Sequence, residues 1–200
     1  QNVYWRLGRH NQNVGSKKLM AMTLLTTNTS SGASNSAFTS SIDNTYKLYI
    51  FRWHNINGSA NDASFQFNGS IDGGSNYNVT KTTTYLNPQH SEGDANAALS
   101  YDAANDIAQG TGYQKLNHTN DGASADGSSG GELFLFNPSN TTYVKHFYSR
   151  SQFMFYDASD KYAMSPYVAG YFNTTDDIDA INFQMDSGTF SSVITMYGVG

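Results

Sequence analysis

The stretch YKLYIFRWHNI, 46–56, constrains the chain more than any other. Its apolar residues fall on both sides of an extended backbone: Leu48 and Ile50 on one, Tyr49, Phe51 and Trp53 on the other. Such a run predicts a central strand covered on both faces, and its aromatic content favours strand over helix. A central strand needs paired neighbours, and the chain offers several. ASFQFNG (63–69) alternates, with Phe65 and Phe67 inward and Gln66 and Asn68 outward. GELFLFNP (131–138) predicts a short buried strand stopping at Pro138, 141–159 one long strand or a bent pair, and 162–172 another. INFQMDSGTFSSVITMYGV (181–199) reads as a hairpin that turns at Asp186–Gly188, with Ile181, Phe183 and Met185 inward.

Composition agrees with these strands. The chain carries 24 Ser, 18 Thr, 21 Asn and 18 Gly but only two glutamates, Glu92 and Glu132, so good helix formers are scarce. The remaining segments are less sharply patterned. An apolar run at 19–26 leads into a Ser/Gly/Asn-rich stretch, NTSSGASNSA, expected to be a loop. A Thr-rich strand is expected from Tyr77 to Leu86, ahead of Pro88. Residues 89–130 are the least determined: 92–109 has the content for one or two helical turns, and 117–131 is a glycine-rich loop. The expected fold is all-β: a single antiparallel β-sandwich, jelly-roll-like, of about eight to ten strands over 19–200, with a short N-terminal arm over 1–18. A chain of 200 residues buries enough surface to need no disulfides, in keeping with its lack of cysteine.

Charge limits the partners. With 11 basic and 16 acidic residues the net charge is −5, which disfavours nucleic acid. Four of the basic residues, Arg6, Arg9, Lys17 and Lys18, gather with Trp5 in the N-terminal arm, which makes these five the candidate partner-binding residues. No apolar run approaches the roughly 18 residues of a membrane span, and no signal peptide is recognisable, so membrane insertion is not expected. The start at Gln1 points to a processed or trimmed chain.

The motifs that suggest chemistry mostly dissolve under inspection. GSSGG (127–131) matches a nucleophile elbow around Ser129, but a loop precedes it and a strand follows, where the elbow needs strand then helix. Asp121, Asp126 and Glu132 lack the alternate spacing of a calcium loop, so no cofactor is expected, and a structural Ca²⁺ is the one metal left open. His10, His54, His90, His118 and His146 show no local zinc spacing. Seven N-x-[ST] sequons, at Asn28, Asn57, Asn68, Asn78, Asn117, Asn140 and Asn173, barely exceed chance in so Ser/Thr-rich a chain. FNGSIDGGSNYN (67–78) looks like a phosphate or metal loop, but a strand leads in, a strand leads out, and Lys81 lies beyond it. It predicts a strand reversal, with Asn68-Gly69 and Gly73-Gly74 supplying positive φ and Phe67 and Tyr77 anchoring the ends.

Three stretches taken together carry a resemblance. FTSSIDNTYKLYIFRW (38–53), the Phe67-Asn68-Gly69 and Gly74-Ser75-Asn76-Tyr77 pair, and the closing INFQMDSGTFSSVITMYGVG (181–200) resemble, in order and spacing, a virion β-sandwich domain of tailed bacteriophages, especially marine and cyanobacterial ones. That family occurs in tail fibres, receptor-binding proteins and capsid decorations. The resemblance implies a structural, non-enzymatic virion protein on the particle surface, with no catalytic residues to carry over. It also implies other virion proteins as partners, a homo-oligomer with a trimer favoured, and contact with a host-surface glycan. Two alternatives from other classes stay open: a carbohydrate-binding module of a secreted microbial protein, and a small glycoside hydrolase.

Overall fold

The computed structural model describes residues 21–118, 126–157 and 160–200, all built from strands and turns. The chain runs through β1 (Met22–Ala33), β2 (Asn35–Phe38), β3 (Leu48–Gly58), β4 (Phe65–Ser70), β5 (Lys81–Ser91), β6 (Ala97–Tyr101) and β7 (Gln114–Lys115). It continues through β8 (Ser129–Phe136), β9 (Lys145–Asp157), β10 (Asp160–Met164), β11 (Tyr167–Phe172), β12 (Ala180–Met185) and β13 (Phe190–Val199). Two antiparallel sheets pack as a sandwich. The smaller has the order β2-β12-β4-β7; the larger begins β1-β13-β3-β8 and continues through β9 to β5, with β6 on the far edge.

Eight of these strands make a jelly roll. Strands β1, β13, β3 and β8 face β2, β12, β4 and β7, and the chain crosses between sheets at each successive pair. The other five widen the larger sheet. Strands β10 and β11 lie end to end in one lane between β9 and β5, since β5 pairs with β11 through Lys81–Leu86 and with β10 through Gln89–Ser91. The interruption falls at Ser165–Pro166, where Ser165 N–H donates to the carbonyl of Pro88 (3.0 Å) and Ser151 N–H to that of Pro166 (3.1 Å). Proline has no N–H for the ladder, so the lane breaks where two prolines meet.

The central-strand expectation for 46–56 holds: β3 lies between β13 and β8 and turns Tyr49, Phe51 and Trp53 fully inward. Phe183 of β12 is the hub of the core. It stacks on Phe65 (5.7 Å, 10°) and meets Phe38, Phe51, Trp53 and Phe67 within 6.3 Å. Aromatic clusters of this kind contribute roughly 0.5–1.5 kcal/mol per pair beyond area burial.

Four local expectations are corrected. The closing stretch is no hairpin: β12 pairs with β2 and β4, β13 with β1 and β3, and the turn between them joins the two sheets. The period-2 pattern correctly orients Ile181, Phe183 and Met185 inward, but it cannot say whether Phe190 and Ile194 meet them side by side or across the core. The expected loop after residue 26 is strand, because β1 stays paired to β13 through Ala33, and Asn28 spans the following corner by donating to Ser36 Oγ (3.2 Å) and the carbonyl of Ala37 (3.0 Å). The expected helical turns in 92–109 are replaced by β6 and a turn held by Asp102. Leu99 and Tyr101, two residues apart, suit a strand rather than a helix. Finally, Asn68-Gly69 lies inside β4. Glycine is needed there because a Cβ would come within 2.9 Å of Phe172 Cζ, and the reversal itself uses Gly73 (φ 71°) and Gly74 (φ 86°).

Candidate binding face

The arm residues Trp5, Arg6, Arg9, Lys17 and Lys18 lie outside the described residues, as does Asp121. Ser129 is the first residue of β8, 2% exposed, with its strand running on into the sheet. Glu132 is engaged by two arginines, and among the described residues no three His, Cys, Asp or Glu side chains cluster to hold a metal. Several sequon asparagines serve the fold: Asn68 and Asn117 are fully buried, and Asn140 Oδ1 accepts from the Thr142 and Tyr143 amides (2.8 Å each).

The stretch 67–78 is a self-contained reversal. Ser70 Oγ lies 2.7 Å from Asp72 Oδ1 and accepts from the Gly74 amide, while Asp72 accepts from the Asn76 backbone (2.8 Å) and amide side chain (2.7 Å). These bonds, those from Asn76 foremost, lower the Asp72 carboxyl to about 2. Phe67 anchors one end in the core, and Tyr77 is half-buried at the other. Asn68 and the Gly73 amide tie the loop to Thr111 and Asp179, so the polar groups named here are spent within the protein.

Two lysines sit where the widened part of the larger sheet meets the loops beneath it. Lys81 is 0% exposed; its Nζ donates to the carbonyls of Gly112 (2.6 Å) and Val79 (3.1 Å), and desolvation lowers it to about 8. Lys145, equally buried, donates to Tyr143 and Thr174 carbonyls; burial lowers it, against the opposing pull of Asp176 and Asp177. Both ammonium groups are turned to backbone carbonyls.

What remains open is the outer face of the larger sheet. Seven inter-strand steps of ~4.8 Å make it about 34 Å across. Several exposed large apolar side chains gather on it: Met22, Leu24, Leu86, Leu99, Tyr101, Phe136 and Tyr167. The strand register sets them in transverse rows. One row runs Leu24, Tyr197, Ile50, Phe134, Tyr148, Ala169. The next runs Thr195, Arg52, Glu132, Arg150, Tyr167, Leu86, Tyr101. Phe134, Tyr148 and Tyr167 stack face to face across three lanes (4.6 Å and 14°; 5.8 Å and 23°).

In the second row Glu132, only 9% exposed, accepts from Arg52 Nε (3.2 Å) and Arg150 Nε (2.6 Å), with Arg150 Nη2 at 2.5 Å. The bond to Glu132 holds the Arg150 guanidinium still more firmly charged. Arg52 also lies over the Tyr197 ring, 5.9 Å from its centre. Beside the triad runs a shallow groove of about 710 Å³, bordered by His54, Gly130, Gln152, Ser165, Pro166 and Tyr167. A second hollow of about 410 Å³ lies among Phe136, His146, Tyr148 and Tyr171.

Of these outer-face residues, Glu132, His54 and His146 were weighed from the sequence only as metal ligands, and none was singled out for binding. Their signal is present but faint: Arg52, Glu132 and Arg150 are charges at outward positions flanked by inward-facing residues of their strands. That they converge depends on register between strands up to 98 residues apart, since Arg52 and Arg150 both reach Glu132. No family model, curated protein or solved structure matches this chain.

Proposed function

We propose that the chain is a non-catalytic attachment domain of a tailed-phage virion, as a tail-fibre, receptor-binding or capsid-decoration component. The observation that supports this reading is the contrast between closed loops and an open sheet face. The loop 67–78 spends its polar groups on hydrogen bonds within the protein, and among the described residues no three His, Cys, Asp or Glu side chains cluster to hold a metal. A broad, rigid, aromatic face offers recognition instead. On a particle surface, many copies multiply a modest affinity for each contact, and a homo-oligomer, a trimer foremost, presents several such faces together. Other virion proteins and a host-surface glycan are the partners this reading supplies. Mass spectrometry of purified particles, followed by a particle map, tests it: the chain should be found at the tail or on the capsid shell, and its absence from intact particles refutes the reading.

The aromatic rows also favour a second reading, a carbohydrate-binding module of a secreted microbial protein. The two differ in where the chain resides: a module would be found in culture medium, attached to a degradative enzyme and absent from particles.

A further inference from the structure

The geometry points to the groove beside Gly130, on the outer face of the larger sheet, as a binding site for carboxylate-bearing sugars. This rests on the reading of the chain as an attachment domain and names the ligand class of its open face. Three observations carry it.

The first is charge. Arg52 and Arg150 share the single carboxylate of Glu132, so the triad keeps one net positive charge on a chain whose net charge is −5. Of the five N–H donors on each guanidinium, Glu132 engages Nε of Arg52 and Nε and Nη2 of Arg150. The others have no protein acceptor among the described residues. Glu132 thus holds two guanidinium groups in fixed orientation with donors left over, an arrangement suited to a carboxylate.

The second is the missing side chain. Gly130 does not lie in the left-handed region, and the nearest atom to an added Cβ is the Trp53 carbonyl oxygen at 3.7 Å. Its neighbour differs: a Cβ on Gly131 would strike Trp53 Cζ2 at 2.5 Å. Packing therefore requires glycine at 131 and not at 130, yet it is the bare position 130 that leaves the groove floor open.

The third is the wall. Tyr167, 39% exposed, follows Arg150 in the same row and adjoins Pro166, which sets an apolar flank beside the cation. A pyranose ring with a carboxylate presents the matching pair, an apolar C–H face and an anion. One net charge is too little for a phosphodiester backbone, and a second copy of the chain would set the same positive row against itself.

Calorimetric titration of the whole chain with tetragalacturonate, and with maltotetraose as the neutral control, tests the assignment. The acidic oligomer should bind, the neutral one at least tenfold more weakly, and affinity should fall as salt rises from 50 to 500 mM. Arg150→Ala and Gly130→Leu should each weaken tetragalacturonate at least tenfold, and Gly130→Leu should do so while leaving the urea midpoint in place. Equal binding of both oligomers, no binding of the acidic one, or binding untouched by both variants overturns the site. So does a dimer, measured by light scattering, that both variants dissociate, because the face then belongs to a second copy. Particle mass spectrometry separates the two claims: a chain found on virions without acidic-sugar binding loses the site and keeps the attachment role, and the opposite result loses only the role.

Discussion

The outer faces of the two sheets are built from the same alternation and end in opposite states. On the smaller sheet the outward positions carry Gln66, Asn68, Ser70 and Asn182, and all four are buried. The loops at 71–79 and 111–113 fold over them, with Asn68 Nδ2 donating to the carbonyls of Tyr77 (2.6 Å) and Thr111 (3.0 Å), and Asn182 to Tyr113 Oη (2.9 Å). On the larger sheet the outward positions carry Phe134, Phe136, Tyr148, Tyr167 and Leu86, and no layer of the described chain covers them. Polar residues are thus enclosed and aromatic residues left in solvent, the reverse of what burial alone would select. The difference teaches that the amides on the small sheet are structural fasteners. The aromatics on the large sheet contribute little to the core.

The largest effect should come from unfastening the closed face. Asn68→Ala removes the donor shared by two loops and the Oδ1 that accepts from the Gly69 amide (2.9 Å), leaving buried carbonyls without partners. We expect a loss of about 3 kcal/mol, at roughly 1 kcal/mol per bond plus the orphaned groups, measured as a lower urea midpoint at unchanged slope. A loss under about 1 kcal/mol would mean that the loops close without it.

A second effect probes the floor of the same enclosure. Burial lowers Lys81 to about 8, while the unfolded chain titrates it near the ordinary lysine value of 10.5. Between those values the unfolded state holds more protons, so stability should rise with pH, by about 2 kcal/mol from pH 8 to 9.5 at ~1.4 kcal/mol per unit. Above pH 10 the sign reverses, because burial raises the Tyr85 phenol and the unfolded state loses its proton first. Lys81→Met should remove most of the rise, leaving only the part that burial of Lys145 contributes. Urea titrations of both proteins at each pH give the answer, and a flat wild-type profile would contradict the burial.

How much of this contrast was legible in the sequence follows from what alternation encodes. It told which side of each strand faces inward, so Tyr49, Phe51, Trp53, Phe65, Phe67 and Phe183 were correctly placed in the core. It was silent on what covers the other side. Gln66 and Asn68 were expected outward and are outward, yet they are buried, because closure depends on loops 9 to 44 residues away. Asn68-Gly69 looked like a turn, since that dipeptide often is one, and only the approach of Phe172 reveals the actual need for glycine. The ion triad was invisible for the same reason: its members are ordinary charges until register brings them together.

The triad gives the third and smaller effect. Glu132→Gln leaves two guanidinium groups side by side on the open face without their shared anion. Both arginine side chains are well exposed, 40% and 69%, so solvent screens the repulsion and the loss should be only about 1 kcal/mol. It should shrink further in 0.5 M salt, where exposed charges more than ~4 Å apart are screened. A salt-independent loss of twice that size would place the triad among the structural fasteners.

The smallest effect should come from the aromatics, and it is the one that decides what the open face is for. Tyr167→Thr removes the last ring of the Phe134–Tyr148–Tyr167 stack but puts a strand-favouring β-branched residue in its place. Its cross-strand neighbours, Arg150 and Leu86, are themselves exposed or nearly so, so little apolar area returns to water. The expected change is about 0.5 kcal/mol or less in the urea midpoint. A loss of 2 kcal/mol would show the stack acting as a second core, and the comparison between the faces would collapse into two ways of closing a sheet. A near-zero loss leaves solvent-exposed rings held in register by a rigid sheet without a stabilising role, which is the physical profile of a surface kept for contact.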